Sequence, residues 1–213
     1  MYKTVKRILD IICSFFAGIL LIPVWLVLIL CIRADTPGPI LFAQKRVGRG
    51  KRNFFIYKFR TMRMDTPHDI PTHQLTNPEQ YITRCGRFLR TTSLDELPQL
   101  WNIFKGDMSL IGPRPALWNQ EDLIAERDKY VGRWGMTAND VRPGLSGWAQ
   151  INGRDTLGIV EKAQYDGAYV QHFGFAMDCR CCIYTVGNVI HHKDVLEGGT
   201  GSKKRCGEAK KCK

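Results

Sequence analysis

Asp95 and Glu96 stand side by side in the run TTSLDELPQ, and cations crowd them from both directions along the chain. Arg84, Arg87 and Arg90 come immediately before them, and Gly112-Pro113-Arg114-Pro115 follows. A carboxylate that attacks phosphorus must sit beside the anion it attacks, and a hard divalent cation removes that conflict. Mg2+ takes carboxylate and phosphate oxygens while keeping several waters, so one acidic side chain suffices as a protein ligand. Arginines grip phosphate oxygens bidentately and stabilise charge that develops on a leaving group. The segment therefore describes a site for a metal-bound diphosphate. The same residues also fit a plain structural role. Ser93 and Glu96 have capping-box spacing, and acidic residues suit the first turn of a helix.

A second cationic stretch, Lys45 to Arg63, contains YKFRTM at Tyr57 to Met62. As a strand it would present Lys58 and Arg60 on one face and mostly apolar side chains on the other, a face that can line a phosphate pocket or stay solvated. Gly48-Arg49-Gly50-Lys51 does not make a P-loop, because neither Ser nor Thr follows the lysine and no helix pattern opens there; it is assigned no nucleotide role. The five histidines lack metal-ligand spacing, with His191 and His192 adjacent near an expected helix end. The eight cysteines form no CxxC pair, and Cys179, Cys181 and Cys182 would point in different directions on a helix. Cys206 and Cys212 fall in a basic tail. Idle thiols in a reducing compartment are the expectation.

The elements that must carry these residues begin with an apolar run, IICSFFAGILLIPVWLVLILCI at residues 11–32, bounded by Asp10 and Arg33. As a straight helix it would be about 33 Å long, enough to cross a bilayer core. Pro23 interrupts it. Lys3, Lys6 and Arg7 precede the run, and Arg33, Lys45, Arg46, Arg49, Lys51 and Arg52 follow it, so both flanks are basic. A helix that bends at Pro23 and returns leaves both flanks on the cytoplasmic side, which a single crossing does not. The turn cluster DTPGP then leads into ILFAQKR and NFFIYKF, a predicted β-hairpin. Residues 65–80 read as a loop into a short helix, Trp118 to Val131 as helix-forming, and 135–158 as a long structured loop. Apolar residues at 175, 176, 179, 182, 183, 186, 189 and 190 mark one helix face, assigned first to internal packing and second to a bilayer interface.

The order of these motifs carries a resemblance. KRILDII, DTPGPILFAQKRVG, FIYKFRTM, GRFLRTTSLDELPQLWNIFKGDMSLIGPRP and VRPGLSGWAQINGR succeed one another from about Lys6 to Ile190. In that arrangement the chain resembles the monotopic phosphoglycosyl transferases, bacterial sugar transferases that initiate glycoconjugate assembly on undecaprenyl phosphate. The resemblance implies that Asp95 attacks the sugar-linked phosphate of a UDP-sugar, expels UMP and holds a covalent phosphosugar, which a polyprenyl phosphate then collects. It implies that Glu96 binds Mg2+, and that Arg90, Pro113 and Arg114 contact phosphate or nucleotide, with Lys58, Arg142 and Gln150 as further contacts. The family's bend is commonly a Ser-Pro pair where this chain has Ile22-Pro23. The larger relatives' multi-span N-terminal region has no counterpart here, so a small, minimal form is expected.

Together these readings predict an α+β protein, mostly helical with a small β-hairpin, anchored by an N-terminal re-entrant helix-break-helix as a monotopic membrane protein. Residues 1–34 would form the membrane element, 35–192 the cytoplasmic catalytic domain, and 193–213 a basic, disordered tail. The 213 residues carry 31 Lys and Arg against 20 Asp and Glu, a net charge of +11 that favours an anionic partner. A membrane-tethered nucleic-acid or lipid-binding module would explain that charge but would leave Asp95 and Glu96 idle. The preferred partners are a UDP-sugar, a polyprenyl phosphate and the bacterial inner membrane at its cytoplasmic face, with no nucleic acid. A homo-oligomer is left open, and the donor sugar is not readable.

Overall fold

The computed structural model describes residues 2–66, 78–153 and 157–190. Most of the expected loop between 65 and 80, together with Arg154, His191, His192 and the tail, lies outside the described residues. The architecture is mostly helical with two small sheets.

Helix α1 (Tyr2–Leu20) and helix α2 (Ile22–Asp35) meet at a 61° bend. The break falls at Leu21, and Pro23 occupies the first turn of α2, where a missing backbone donor has no intrahelical partner to lose. The bend thus precedes the proline expected to mark it. No single described helix is long and apolar enough to cross a membrane, although the bent pair is so by length and composition.

Helix α1 is amphipathic with its polar edge turned inward. Lys6, Arg7, Asp10 and Ser14 recur at helical spacing on the docked side, while Val5, Ile8, Leu9, Ile12, Phe15, Phe16 and Ile19 are exposed. Arg7 donates to the carbonyls of Ile103 (2.6 Å) and Phe104 (2.8 Å), at the end of helix α4 (Gln99–Lys105). Those carbonyls have no partner inside their own helix, and a guanidinium there also suits the helix dipole. Asp10 accepts from the backbone of Leu110 at 3.0 Å. Lys6 and Tyr2 both bond Asp178 on helix α8 (Phe175–Ile190).

The predicted hairpin is present. Strand β1 (Leu41–Val47) pairs antiparallel with β2 (Asn53–Phe59), Leu41 opposite Phe59 and Val47 opposite Asn53. Helix α3 (Arg84–Thr92) packs with α2 and β2 through Leu28, Ile32, Phe59 and Leu89. Helix α4 closes the other part of β2 through Ile56, Leu100, Ile103 and Met108. The 135–158 region is more regular than its sequence suggests: strand β4 (Gly144–Ser146) pairs in parallel with β3 (Ser109–Ile111), and helix α6 (Trp148–Ile151) follows. Between β3 and β4 lies helix α5 (Glu121–Asp128), which packs on helix α7 (Ile159–Gln171). Three-residue strands are too short to show a periodicity, and the parallel partner is distant in sequence.

The α8 assignment is corrected. Met177, Asp178 and Cys181 form its buried edge, whereas Phe175, Cys182, Ile183 and Val186 on the apolar stripe are exposed. Asp178 decides this orientation, because its carboxylate is held inward by Tyr2, Lys6 and the Tyr169 hydroxyl. A buried carboxylate with three partners fixes a helix face more strongly than an apolar stripe does.

Candidate active site

Helix α3 ends on Ser93, whose φ of 56° is left-handed. That conformation is uncommon for a residue with a side chain and turns the chain sharply. The next three residues, Leu94–Glu96, form a 3-10 turn. The capping box expected of Ser93 and Glu96 is absent, since the serine makes no side-chain cap and the glutamate is engaged elsewhere.

Asp95 and Glu96 are 2% and 4% exposed. Two adjacent carboxylates cannot be buried without compensation. Lys58, near the end of β2, supplies it: its Nζ is 2.9 Å from Glu96 Oε1 and 3.7 Å from Asp95 Oδ2. Arg114 Nη1 adds a contact to Glu96 Oε1 at 3.4 Å. The carboxylates thus face cations, while the flanking Leu94 and Leu97 pack on the cluster of Leu28, Ile32, Phe59 and Leu89.

Several positioning contacts hold this arrangement. Asn102, fully buried, accepts from the Tyr57 amide at 3.1 Å and donates to the Phe55 carbonyl at 2.7 Å, so α4 docks on β2 as though it were another strand. Gly86 lets α3 approach the end of that strand, because a Cβ there would lie 2.0 Å from the Thr61 carbonyl oxygen. The approach brings Arg90 Nε to Thr61 Oγ1 at 2.9 Å, while Arg90 Nη1 is buried with no hydrogen-bond partner among the described residues. Arg127 donates to Asp166 through Nε at 2.8 Å and through Nη2 at 2.5 Å, and also to the Arg114 carbonyl at 2.9 Å. A buried ion pair thereby fixes the backbone that carries Arg114.

The structure brings together Asp95, Glu96, Lys58 and Arg114. Pro113 is buried, and its carbonyl accepts from Gly144 at 2.9 Å, which fixes the turn leading to Arg114. Gln150 lies behind the same turn: a Cβ on Gly147 would meet both the Gly112 carbonyl oxygen and Gln150 Oε1. Both polar atoms of the Gln150 side chain are buried without a hydrogen-bond partner among the described residues, as is Gln99 Nε2. Such atoms are costly to leave so and mark places where a ligand can bond. Arg60 departs from the expected strand face. Strand β2 stops at Phe59, and Arg60 instead donates to the Thr36 and Pro37 carbonyls, both at 2.6 Å, tying the turn after α2. Arg142 also lies away from the carboxylates, with Nε on the Gly106 carbonyl at 2.9 Å. Sequence reasoning missed Asn102, Asp166 and Arg127 as supports. Asn102 carried no signal of its own inside the long GRFL…GPRP motif, and the Arg127–Asp166 pair spans two helices.

Among the described residues no three of His, Cys, Asp and Glu cluster to cage a metal. Two adjacent carboxylates beside cations that can grip phosphate nevertheless fit Mg2+, which takes one or two carboxylates and completes its sphere with water and phosphate oxygen.

The architecture is thus a bent, apolar-surfaced helix pair docked on an α+β body that holds a buried carboxylate pair beside convergent cations. The chain belongs to the bacterial sugar transferase family, whose model matches residues 1–192. It is 34% identical over 197 residues to a UDP-glucose:undecaprenyl-phosphate glucose-1-phosphate transferase of Xanthomonas campestris pv. campestris, covering 90% of this chain and 40% of that protein. It is 36% identical over 194 residues to a UDP-N-acetylgalactosamine-undecaprenyl-phosphate N-acetylgalactosaminephosphotransferase of Aeromonas hydrophila, covering 89% and 44%. An uncharacterized sugar transferase of Bacillus subtilis (strain 168) is 36% identical over 185 residues, with 87% of each chain covered. The chain therefore spans about two fifths of the length of the first two relatives.

Proposed function

We propose that this protein transfers a sugar 1-phosphate from a UDP-sugar to undecaprenyl phosphate, releasing UMP, at the cytoplasmic face of a bacterial membrane. The observation that carries the reading is the buried Asp95–Glu96 pair held by Lys58 and Arg114. The relatives' names supply the donor and acceptor classes, and they differ in the sugar, so the donor is kept at the level of a UDP-sugar.

Asp95 is the nucleophile. Its carboxylate oxygen attacks the sugar-linked phosphorus as the bond from that phosphorus to the bridging oxygen breaks, and UMP leaves with the electron pair. The phosphate oxygen of the polyprenyl acceptor then attacks the same phosphorus, and Asp95 departs as a carboxylate. Dividing one transfer into two displacements predicts ping-pong kinetics. Lys58 and Arg114 pair with the carboxylates and offset the charge of the incoming diphosphate. The uncommitted Arg90 Nη1 and Gln150 amide supply donors for phosphate or nucleotide oxygens. Glu96 would hold Mg2+, which supplies charge neutralisation at the diphosphate.

The bent pair α1–α2 acts in this reading as a re-entrant element whose ends both stay cytoplasmic. The exposed apolar residues of α1, of α2 and of the α8 stripe support immersion of that side. Labelling single cysteines placed at residue 2 and near residue 40 with an impermeant reagent tests the topology, and accessibility from opposite sides would refute it. The chemistry is tested by incubating purified protein with a panel of UDP-sugars and Mg2+ and searching by mass spectrometry for a phosphosugar adduct. No UMP release with any donor in the presence of undecaprenyl phosphate would overturn the reading.

A further inference from the structure

A cavity of about 670 Å3 at the turn end of the β1–β2 hairpin has no part in the chemistry above. Its lining includes Arg49 and Arg52 from the turn, Arg142 from the segment before β4, and Gly106 and Asp107 from the end of α4. It is separate from the carboxylate pair. Asn53 borders the cavity and Lys58 borders the carboxylates, and five residues of extended strand set these about 16 Å apart. Helix α4 likewise runs from the carboxylates at its start to the cavity at its end.

The charges in the wall are poorly balanced. Arg49 and Arg52 are exposed, and neither side chain has a hydrogen bond or ion pair among the described residues. Arg142 uses Nε on Gly106, leaving the outer edge of its guanidinium uncommitted. Asp107 is already engaged by Lys105 at 3.2 Å and Asn102 at 3.3 Å. Arg7 brings a fourth guanidinium to the rim, since a Cβ on Gly106 would meet Arg7 Nη2 at 3.1 Å. Burial, followed by the charges of Arg7 and Arg49, holds the Arg142 guanidinium below its ordinary value. Like charges gathered around a concave surface lack an anion.

We propose that this cavity binds a phosphate group, presented either by a lipid headgroup or by a soluble phosphate compound. Planar guanidinium groups from separate segments match phosphate oxygens bidentately. The volume admits a phosphate with a small attached alcohol. Arg7 links the site to the membrane, because it lies on α1, whose opposite edge exposes Val5, Ile8, Leu9 and Ile12. This inference does not depend on the transfer reaction.

The test compares wild type with Arg49→Ala/Arg52→Ala, and with Arg63→Ala/Lys129→Ala as a charge-matched control away from the cavity. Each is titrated calorimetrically with inorganic phosphate and assayed by flotation on vesicles of phosphatidylglycerol and phosphatidylcholine. The cavity variant should lose one equivalent of saturable phosphate binding or fall about tenfold in partition onto the anionic vesicles, with the control losing at most about threefold. Loss confined to inorganic phosphate assigns a soluble source, and loss on vesicles assigns the headgroup. Unchanged phosphate stoichiometry together with vesicle binding no weaker than the control overturns the proposal.

Discussion

Lys58 donates from Nζ to Glu96 Oε1 across 2.9 Å, and the same ammonium reaches Asp95 Oδ2 at 3.7 Å. One cation from a strand therefore stabilises two carboxylates on a 3-10 turn. Lys58→Met should lower UMP release by about 100-fold or more, the scale of losing a charge-stabilising group in a buried site. Unfolding monitored alongside the rate separates that loss from misfolding.

Asp95→Asn and Glu96→Gln should differ in kind. The first removes the attacking oxygen, so both the phosphosugar adduct and turnover should vanish. The second should retain a slow adduct and require more Mg2+ for half-maximal rate. Intact-mass spectra over a Mg2+ series check this, and equal adduct formation by wild type and Asp95→Asn would move the nucleophile elsewhere.

The Arg127–Asp166 pair acts through the Arg114 backbone. Arg127→Met leaves a buried carboxylate without its partner and should cost about 3–5 kcal/mol of stability. Arg127→Lys keeps the charge but loses the fork, so it should recover stability in part while KM for the donor stays raised. Denaturant melts and steady-state kinetics on both variants give the two readouts.

Burial pushes the Cys181 thiol up to about 12, with Asp178 adding to the shift. A raised thiol value means that the folded state holds the proton more tightly. This stabilisation is complete below the ordinary thiol range and disappears as pH rises from about 9 through 12. At pH 8 Cys181 should resist iodoacetamide in the native protein and react after unfolding. Peptide mapping reports this directly, and rapid native labelling would contradict the buried edge assigned to α8.

Asp10 accepts from Leu110 just beyond the first residue of β3. Asp10→Ala leaves that buried-edge amide unbonded and should destabilise the protein by about 1–3 kcal/mol. The effect should appear in a detergent-solubilised thermal melt even though Asp10 lies on the apolar-surfaced helix α1.

What could be read in advance followed local chemistry. The hairpin appeared because its strands alternate about a Gly-rich bend, and the carboxylate pair appeared because like charges with nearby arginines are unusual. Lys58 as the partner of Asp95 was reachable only through the motif match, since 37 residues of chain separate them and the fold closes that gap. Arg60 shows the limit of the strand argument: one residue past the last ladder pair, the alternation stops directing side chains. The α8 stripe misled because periodicity identifies a face without saying what meets it. Asp178, a charge on the opposite edge, was the better signal, and its three partners come from α1 and α7.

The inward polar edge of α1 makes the bent helix pair and the body one folding unit. A truncated chain starting after Asp35 would strand the carbonyls of Ile103 and Phe104 and the Leu110 amide, and would leave the Asp178 carboxylate with Tyr169 but without its cation. Solubilising this protein by trimming its greasy end should therefore yield aggregates. These contacts tie α1 to α4, β3 and α8, so the orientation of the bent pair is set by the body's own backbone and charge pairs.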